Sequence, residues 1–181
     1  MALIKQMTSS GTDEWRTPLW LFRWLDNTLH FTLDAAATPE NALCKKYFTK
    51  EQDALTQSWA GEKVFCNPPY SRPNLYSFAL KALNEAYASC PYVALLIPVR
   101  TATKAWHEVI FPYATWILFI SRRLHFSNAE KNAPFGSAVV IFCALRGRHD
   151  PCLFDLKMGV SSGDRITYAA LRDVQRYWEG R

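Results

Sequence analysis

Apolar and polar positions follow two different rhythms along this chain. Three stretches are almost continuously apolar: YVALLIPV (92–99), TWILFI (115–120) and SAVVIFCAL (137–145). Runs this short and this rich in Val and Ile predict strands buried on both faces, as in a parallel sheet. Elsewhere the spacing is helical. In NLYSFALKALNEAYAS (74–89), Leu75, Phe78, Ala79, Ala82, Leu83 and Ala86 fall on one face. TPLWLFRWLDNTL (17–29) reads as an amphipathic helix that Thr17 can cap, with Pro18 at its first position. KAWHEVIFPY (104–113) predicts a short helix and KVFC (63–66) a short strand, while FTLDAAAT (31–38) starts with strand-like alternation and breaks after Asp34. Residues 39–62 are mixed and predict no strand. The remainder predicts a loose polar segment over 1–14, a strand at 152–157 and a last helix over 168–178.

Strand, helix, strand, helix, strand is α/β order. Ligands of open α/β sheets sit beyond the carboxyl ends of the strands, so the segment that leaves KVFC is the first place to look for chemistry. With 181 residues and 49% hydrophobic positions, the chain suits one domain with a substantial core. It shows no repeat and no interdomain linker. No apolar run reaches the roughly 18 residues of a membrane span, and MALIKQMTSSGTDEW lacks the apolar stretch of a signal peptide. The expectation is a soluble, cytoplasmic protein without a membrane partner. Five cysteines, an odd number with no C-x-x-C, predict neither a disulfide framework nor a metal site. The net charge of +5 permits nucleic-acid binding without requiring it.

The segment after KVFC is Asn67-Pro68-Pro69-Tyr70. The prolines carry no N–H, and Asn67 and Pro68, each before a proline, avoid helical angles. The stretch is therefore stiff and extended, with carbonyls pointing outward and an added acceptor on the Asn67 side chain. Two fixed acceptors beside an aromatic face suit a flat base bearing an exocyclic amino group. Stacking of such a base on Tyr70 contributes about 1–3 kcal/mol. An adenine amino nitrogen is a poor nucleophile because its lone pair is delocalised into the ring. Acceptors on both hydrogens favour a more tetrahedral nitrogen and stabilise the charge that develops as it attacks an activated methyl group. A base inside a duplex reaches such a pocket only when flipped out. The bland alternative is a proline-rich turn with a surface tyrosine.

The ordered set DEWRTPLWLF, FTLDAAAT, DAL followed by Trp59, VFCNPPYS, LLIPVRT and RLHF, spread over residues 12–145, resembles the phage-type DNA N6-adenine methyltransferases, the Dam family of phages and prophages. The resemblance implies a trimmed Rossmann-like, S-adenosylmethionine-dependent methyltransferase fold: a mostly parallel sheet with an antiparallel strand near the C-terminus. It gives Asn67, Pro68, Pro69 and Tyr70 the catalytic role. It assigns cofactor contacts to Asp34, Ala35 and Ala36 in the loop after the first strand. Trp15, Thr17 and Pro18 would close over the cofactor, and Asp53 would contact its adenosine. LDAAAT is not a glycine-rich loop, so the likeness there is to this small family. The complete methyltransferase sheet would place two more strands between Asp34 and Asn67, and one βαβ unit already needs about 30 residues. One or both of those strands are therefore expected to be missing or vestigial.

The implied partner is double-stranded DNA, with the protein as a monomer or homodimer. The polar, basic stretch 121–136 joins two predicted strands and is the best recognition candidate. Its Arg122, Arg123 and Lys131 would meet phosphate, and His125 and Phe126 would stack or wedge where the base leaves. Arg72, just past the motif, would touch the DNA backbone, and Arg100 at another strand end would meet phosphate or stay solvated. Arg146, Arg148, Lys157 and Arg165 read as general basic surface. The same two-acceptor chemistry also serves cytosine N4 or a protein glutamine amide, and a non-catalytic DNA-binding module with this fold is the alternative from another class.

Overall fold

The computed structural model describes residues 15–143 and, beyond them, strands at 152–156, 158–159 and 165–166. The elements, in order, are α1 (Leu19–Leu29), β1 (Leu33–Asp34), β2 (Lys46–Tyr47), β3 (Lys63–Cys66), α2 (Arg72–Ala88) and β4 (Tyr92–Pro98). A π-helical turn (Ala105–Ile110) then runs into α3 (Phe111–Tyr113), followed by β5 (Trp116–Ile120), β6 (Ser137–Phe142) and β7 (Cys152–Leu156). Met158–Gly159 and Arg165–Ile166 pair as a separate antiparallel ribbon. The segment 1–14, the helix expected over 168–178 and the side chains of Arg146, Arg148, Lys157 and Arg165 lie outside the described residues.

One seven-stranded sheet has the order β2-β1-β3-β4-β6-β5-β7. Its pairs are parallel except at β6, which runs antiparallel to both β4 and β5. The continuous apolar runs predicted strands buried on both faces, and the antiparallel β6 agrees with the mixed sheet that the resemblance implies. Every residue of β4 and of β6 is buried, because successive side chains point to opposite faces and both faces are covered. On one face Val64, Cys66, Val93, Leu95 and Ile97 pack with Leu75, Phe78, Ala79 and Ala82 of α2. On the other, Phe65, Ala94 and Leu96 pack with Leu21, Phe22 and Leu25 of α1. Burying a Leu or Phe of this kind stabilises the fold by about 1.5–3 kcal/mol.

The trimming falls on the β1 side. Residues 39–62, which predict no strand, hold the two-residue β2, paired in parallel with β1. No helix among the described residues joins β2 to β3. Trp59, fully buried, supplies bulk against α2 instead, and its indole N–H donates to the Ala54 carbonyl at 2.9 Å, closing the loop on itself. The start of α1 also differs from expectation. Pro18, extended at φ −62° and ψ 129°, is the cap. Its carbonyl accepts from the amides of Leu21 and Phe22, and Thr17 is left for another task.

The chain leaves β1 towards β2 on one side and leaves β3 towards β4 on the other, so the strand order reverses between β1 and β3. Asp34 ends β1 and Asn67 follows β3, side by side at this switch point. Open α/β sheets place their ligand crevice there.

Candidate functional site

Asp34 is only 3% exposed. Its Oδ2 accepts from the amide of Leu43 at 3.1 Å, and its Oδ1 more weakly from that of Ala36 at 3.4 Å. Burial outweighs these bonds and raises its pKa from the ordinary 3.8 to about 6. No ion pair to Asp34 forms among the described residues. A buried acid without a cationic partner at the switch point suits a ligand that brings its own positive charge, as a sulfonium amino acid does. Ala35 is buried and its amide donates to the Phe65 carbonyl at 2.9 Å, tying the loop to β3.

Asn67 is held by partners far away in sequence. Its Nδ2 donates to the backbone carbonyl of Trp15 and, at 3.0 Å, to Oγ1 of Thr17. Its Oδ1 accepts from the Tyr70 hydroxyl at 2.7 Å. Tyr70 also lies 3.3 Å from the Leu96 carbonyl and is 1% exposed. Burial pushes its hydroxyl well above the ordinary range, so it stays neutral and donates. Tyr70 is therefore not an open platform in this structure. Its ring meets those of Phe135 and Phe126 edge-on, at 5.7 and 6.3 Å between centroids. Trp15 packs on the same pair at 5.2 and 5.0 Å. Prolines 68 and 69 lie outside helix and strand, between β3 and α2, and Pro68 is buried. Cys66, beside the motif, is fully buried, which raises its thiol pKa well above the ordinary range and makes it an inert core residue.

Arg100 is half-exposed and turned towards the motif. Its guanidinium donates to the Tyr70 carbonyl at 2.9 Å and lies 5.7 Å over the Phe135 ring. Sequence reasoning missed this role, together with Phe135, because no local pattern links residues 30 or more positions apart. Asp53 lies in the loop after β2, six residues past Tyr47. It is exposed, sits in a left-handed turn at φ 51°, and its Oδ1 accepts from the amide of Leu55 at 3.2 Å. Aspartate commonly forms such turns.

The 121–136 stretch splits by face. Leu124, Phe126 and Ala133 are buried, while Arg122, Arg123, His125 and Lys131 are exposed. The amide of Ala133 donates to the Leu124 carbonyl at 2.8 Å and keeps the loop compact. Phe126 is thus a packing residue here and not a surface wedge. Arg72 is exposed in the first turn of α2. No cluster of metal-ligating side chains forms among the described residues, and no described helix is long and apolar enough to cross a membrane.

Known proteins resemble this chain in sequence and in fold. A DNA N-6-adenine-methyltransferase of Haemophilus phage HP1 is 34% identical over 132 residues, covering 68% of this chain and 75% of the relative. A DNA N-6-adenine-methyltransferase of Escherichia phage T1 is 33% identical over 114 residues, covering 62% of this chain and 46% of that larger protein. Among solved structures, one described as a class I S-adenosylmethionine-dependent methyltransferase from Listeria monocytogenes superposes with a TM-score of 0.60 at 12% identity, over 97% of this chain and 76% of the other. A type I restriction enzyme modification subunit from Vibrio vulnificus gives 0.53 at 11% identity, over 99% of this chain and 56% of that one. These two show the fold alone. The sequence pattern of the family described as DNA N-6-adenine-methyltransferase (Dam) matches residues 5–147. The chain belongs to the DNA N-6-adenine-methyltransferase (Dam) family.

Proposed function

We propose that the protein methylates the exocyclic N6 amino group of adenine in double-stranded DNA, with S-adenosylmethionine as methyl donor. The observation that carries this reading is the pairing of two unlike polar groups at one switch point: the buried acid Asp34 after β1 and the oriented amide Asn67 after β3. Asp34, with the tight backbone at Ala35 and Ala36, would hold the cationic amino-acid end of the cofactor. When bound, S-adenosylmethionine supplies a methyl group on a sulfonium, an electrophile already activated.

The chain's own residues prepare the nucleophile. The Asn67 oxygen has two lone pairs, so it can accept from an adenine N–H while it keeps the Tyr70 hydroxyl. A motif carbonyl takes the second N–H. These acceptors stabilise positive charge as the nitrogen attacks. The base must leave the duplex to reach them, and in this structure half-buried Phe135 stands edge-on to Tyr70. Base entry therefore requires the aromatic cluster to open. Exposed Arg72, Arg122, Arg123 and Lys131 are suited to phosphate contacts that position the duplex. The place of action is the cytoplasm of a bacterial host, with the protein as a monomer or homodimer.

The test is a methyl-transfer assay with purified protein, unmethylated DNA and labelled S-adenosylmethionine, followed by digestion to nucleosides and mass spectrometry. N6-methyladenine from the wild type and none from Asn67→Ala is the expected result. N4-methylcytosine would replace the base, and no methylated nucleoside from folded protein would remove the reading.

A further inference from the structure

Trp15, Thr17 and Pro18 are expected to close over the cofactor; in the free protein the polar contacts of Trp15 and Thr17, in the strap 15–17, go to the Asn67 amide. The carbonyl of Trp15 and the hydroxyl of Thr17 both face the Asn67 amide. A backbone carbonyl can only accept, so the amide nitrogen, and not the oxygen, must face Trp15. Both Nδ2 hydrogens are then consumed by the strap, and Oδ1 is left turned towards the Tyr70 hydroxyl. A carboxylate at this position would set oxygen against the Trp15 carbonyl, which explains why an amide fits here.

The strap is itself held from its other side. The Arg16 amide donates to Oδ1 of Asn128 at 2.9 Å, and the Ser127 amide donates to the Arg16 carbonyl at 2.9 Å. The Ser127 hydroxyl lies 3.2 Å from the Thr17 carbonyl. The Trp15 ring packs on Phe126 and Phe135 from the same loop. One face of a three-residue segment thus meets the catalytic amide, and the other meets the loop that carries the candidate DNA-binding arginines.

We propose that Thr17 is a positioning residue for Asn67: with the Trp15 carbonyl, it fixes the amide so that its oxygen faces the target amine. This deepens the proposed methyl transfer and rests on it for its kinetic consequence, while the clamp itself is a property of the free protein. Thr17→Val keeps the shape and removes the acceptor; Thr17→Ser restores the acceptor.

The kinetic test measures kcat and KM for cofactor and DNA in wild type, Thr17→Val and Thr17→Ser. A lost neutral hydrogen bond corresponds to about a fivefold to tenfold fall in kcat. That fall in Thr17→Val, with both KM values within about twofold and with recovery in Thr17→Ser, is expected. A raised KM for cofactor at unchanged kcat overturns the proposal in favour of cofactor closure. Unchanged kinetics, or equal losses in both variants, overturn it too. The second measurement needs no activity and no variant at Thr17. In the free protein, the Asn67 side-chain amide resonances, assigned by their loss in Asn67→Ala, should show two protons exchanging slowly with solvent. Fast exchange of both overturns the clamp. Wild type that yields no methyladenine while these protons stay protected would sink the methyl-transfer reading and leave the clamp standing.

Discussion

Asp34 and Asn67 leave neighbouring parallel strands at the same edge of the sheet, yet they are held in opposite ways. Asp34 is satisfied locally, by amides two and nine residues further along the chain. Asn67 is satisfied at long range, by Trp15 and Thr17 some 50 residues earlier, with only Tyr70 close in sequence. The difference matches the roles proposed for the two groups. A buried acid kept without a cationic partner stays poised for a positive ligand, and a short loop with backbone donors suffices to place it. An amide that presents its oxygen needs its nitrogen engaged, and here the acceptors that engage it come from the distant Trp15 and Thr17. The first device comes with the strand end; the second exists only once the chain has folded back on itself.

The strongest way to break this division is Asn67→Ala. Removing one preorganised polar group that acts on developing charge costs about 10²–10³ in kcat. Cofactor affinity, measured by calorimetry, should stay within about twofold because Asp34 keeps its local partners. If cofactor binding disappears with the amide, the two devices are one.

Next in size is the pH dependence of cofactor binding. The Asp34 carboxyl titrates near 6 in the folded chain instead of at its ordinary 3.8. Above about 6 it is ionised and matches a positive ligand; below, it is protonated and does not. Affinity should therefore fall about tenfold per pH unit below about 6. The stability of the free chain moves the other way. A carboxyl with a raised folded pKa contributes stability that is full below 3.8 and is lost as pH rises through about 6. Asp34→Asn should flatten both profiles, and a wild-type affinity already flat from pH 5 to 8 would remove Asp34 from the cofactor's partners.

The same contrast explains which parts were legible in the sequence. Continuous apolar runs announced β4, β5 and β6 because burial on both faces leaves no polar positions. KVFC announced β3 and thereby the place of Asn67. Asp34 stood out because a charged residue ends an alternating segment. The short β2 was invisible: Lys46 is exposed and Tyr47 half-buried, so no pattern marks them. Thr17 reads as a helix cap because it precedes Pro18, and only the fold shows Pro18 capping α1 and Thr17 turned to Asn67. Tyr70 and Phe126 looked like surface aromatics for the same reason. Phe135 packs on both and Trp15 on Phe126, and composition cannot say which distant ring arrives.

Arg100 sharpens the long-range half of the comparison. If its bond to the Tyr70 carbonyl supports the motif, Arg100→Gln should lower kcat about threefold to tenfold, less than a buried charged hydrogen bond would imply because the residue is half-exposed. The dependence of DNA binding on salt should not change. A shallower salt dependence at full kcat would return Arg100 to the phosphate role its sequence position suggested.

The smallest effect lies on the outer face of the 121–136 loop. Each phosphate contact adds close to one to the slope of log affinity against log salt, so Arg122→Ala and Arg123→Ala should each lower that slope by about 1. At saturating DNA their kcat should match wild type, because both side chains are exposed, whereas Phe126 beyond them is buried and packs on Trp15 of the strap. A fall in kcat at saturating DNA in either arginine variant would mean that phosphate contact on the outer face is transmitted through Ser127 and Asn128 to the strap, and so to Asn67. The long-range device would then be a link between DNA engagement and the catalytic amide, and not only a scaffold for it.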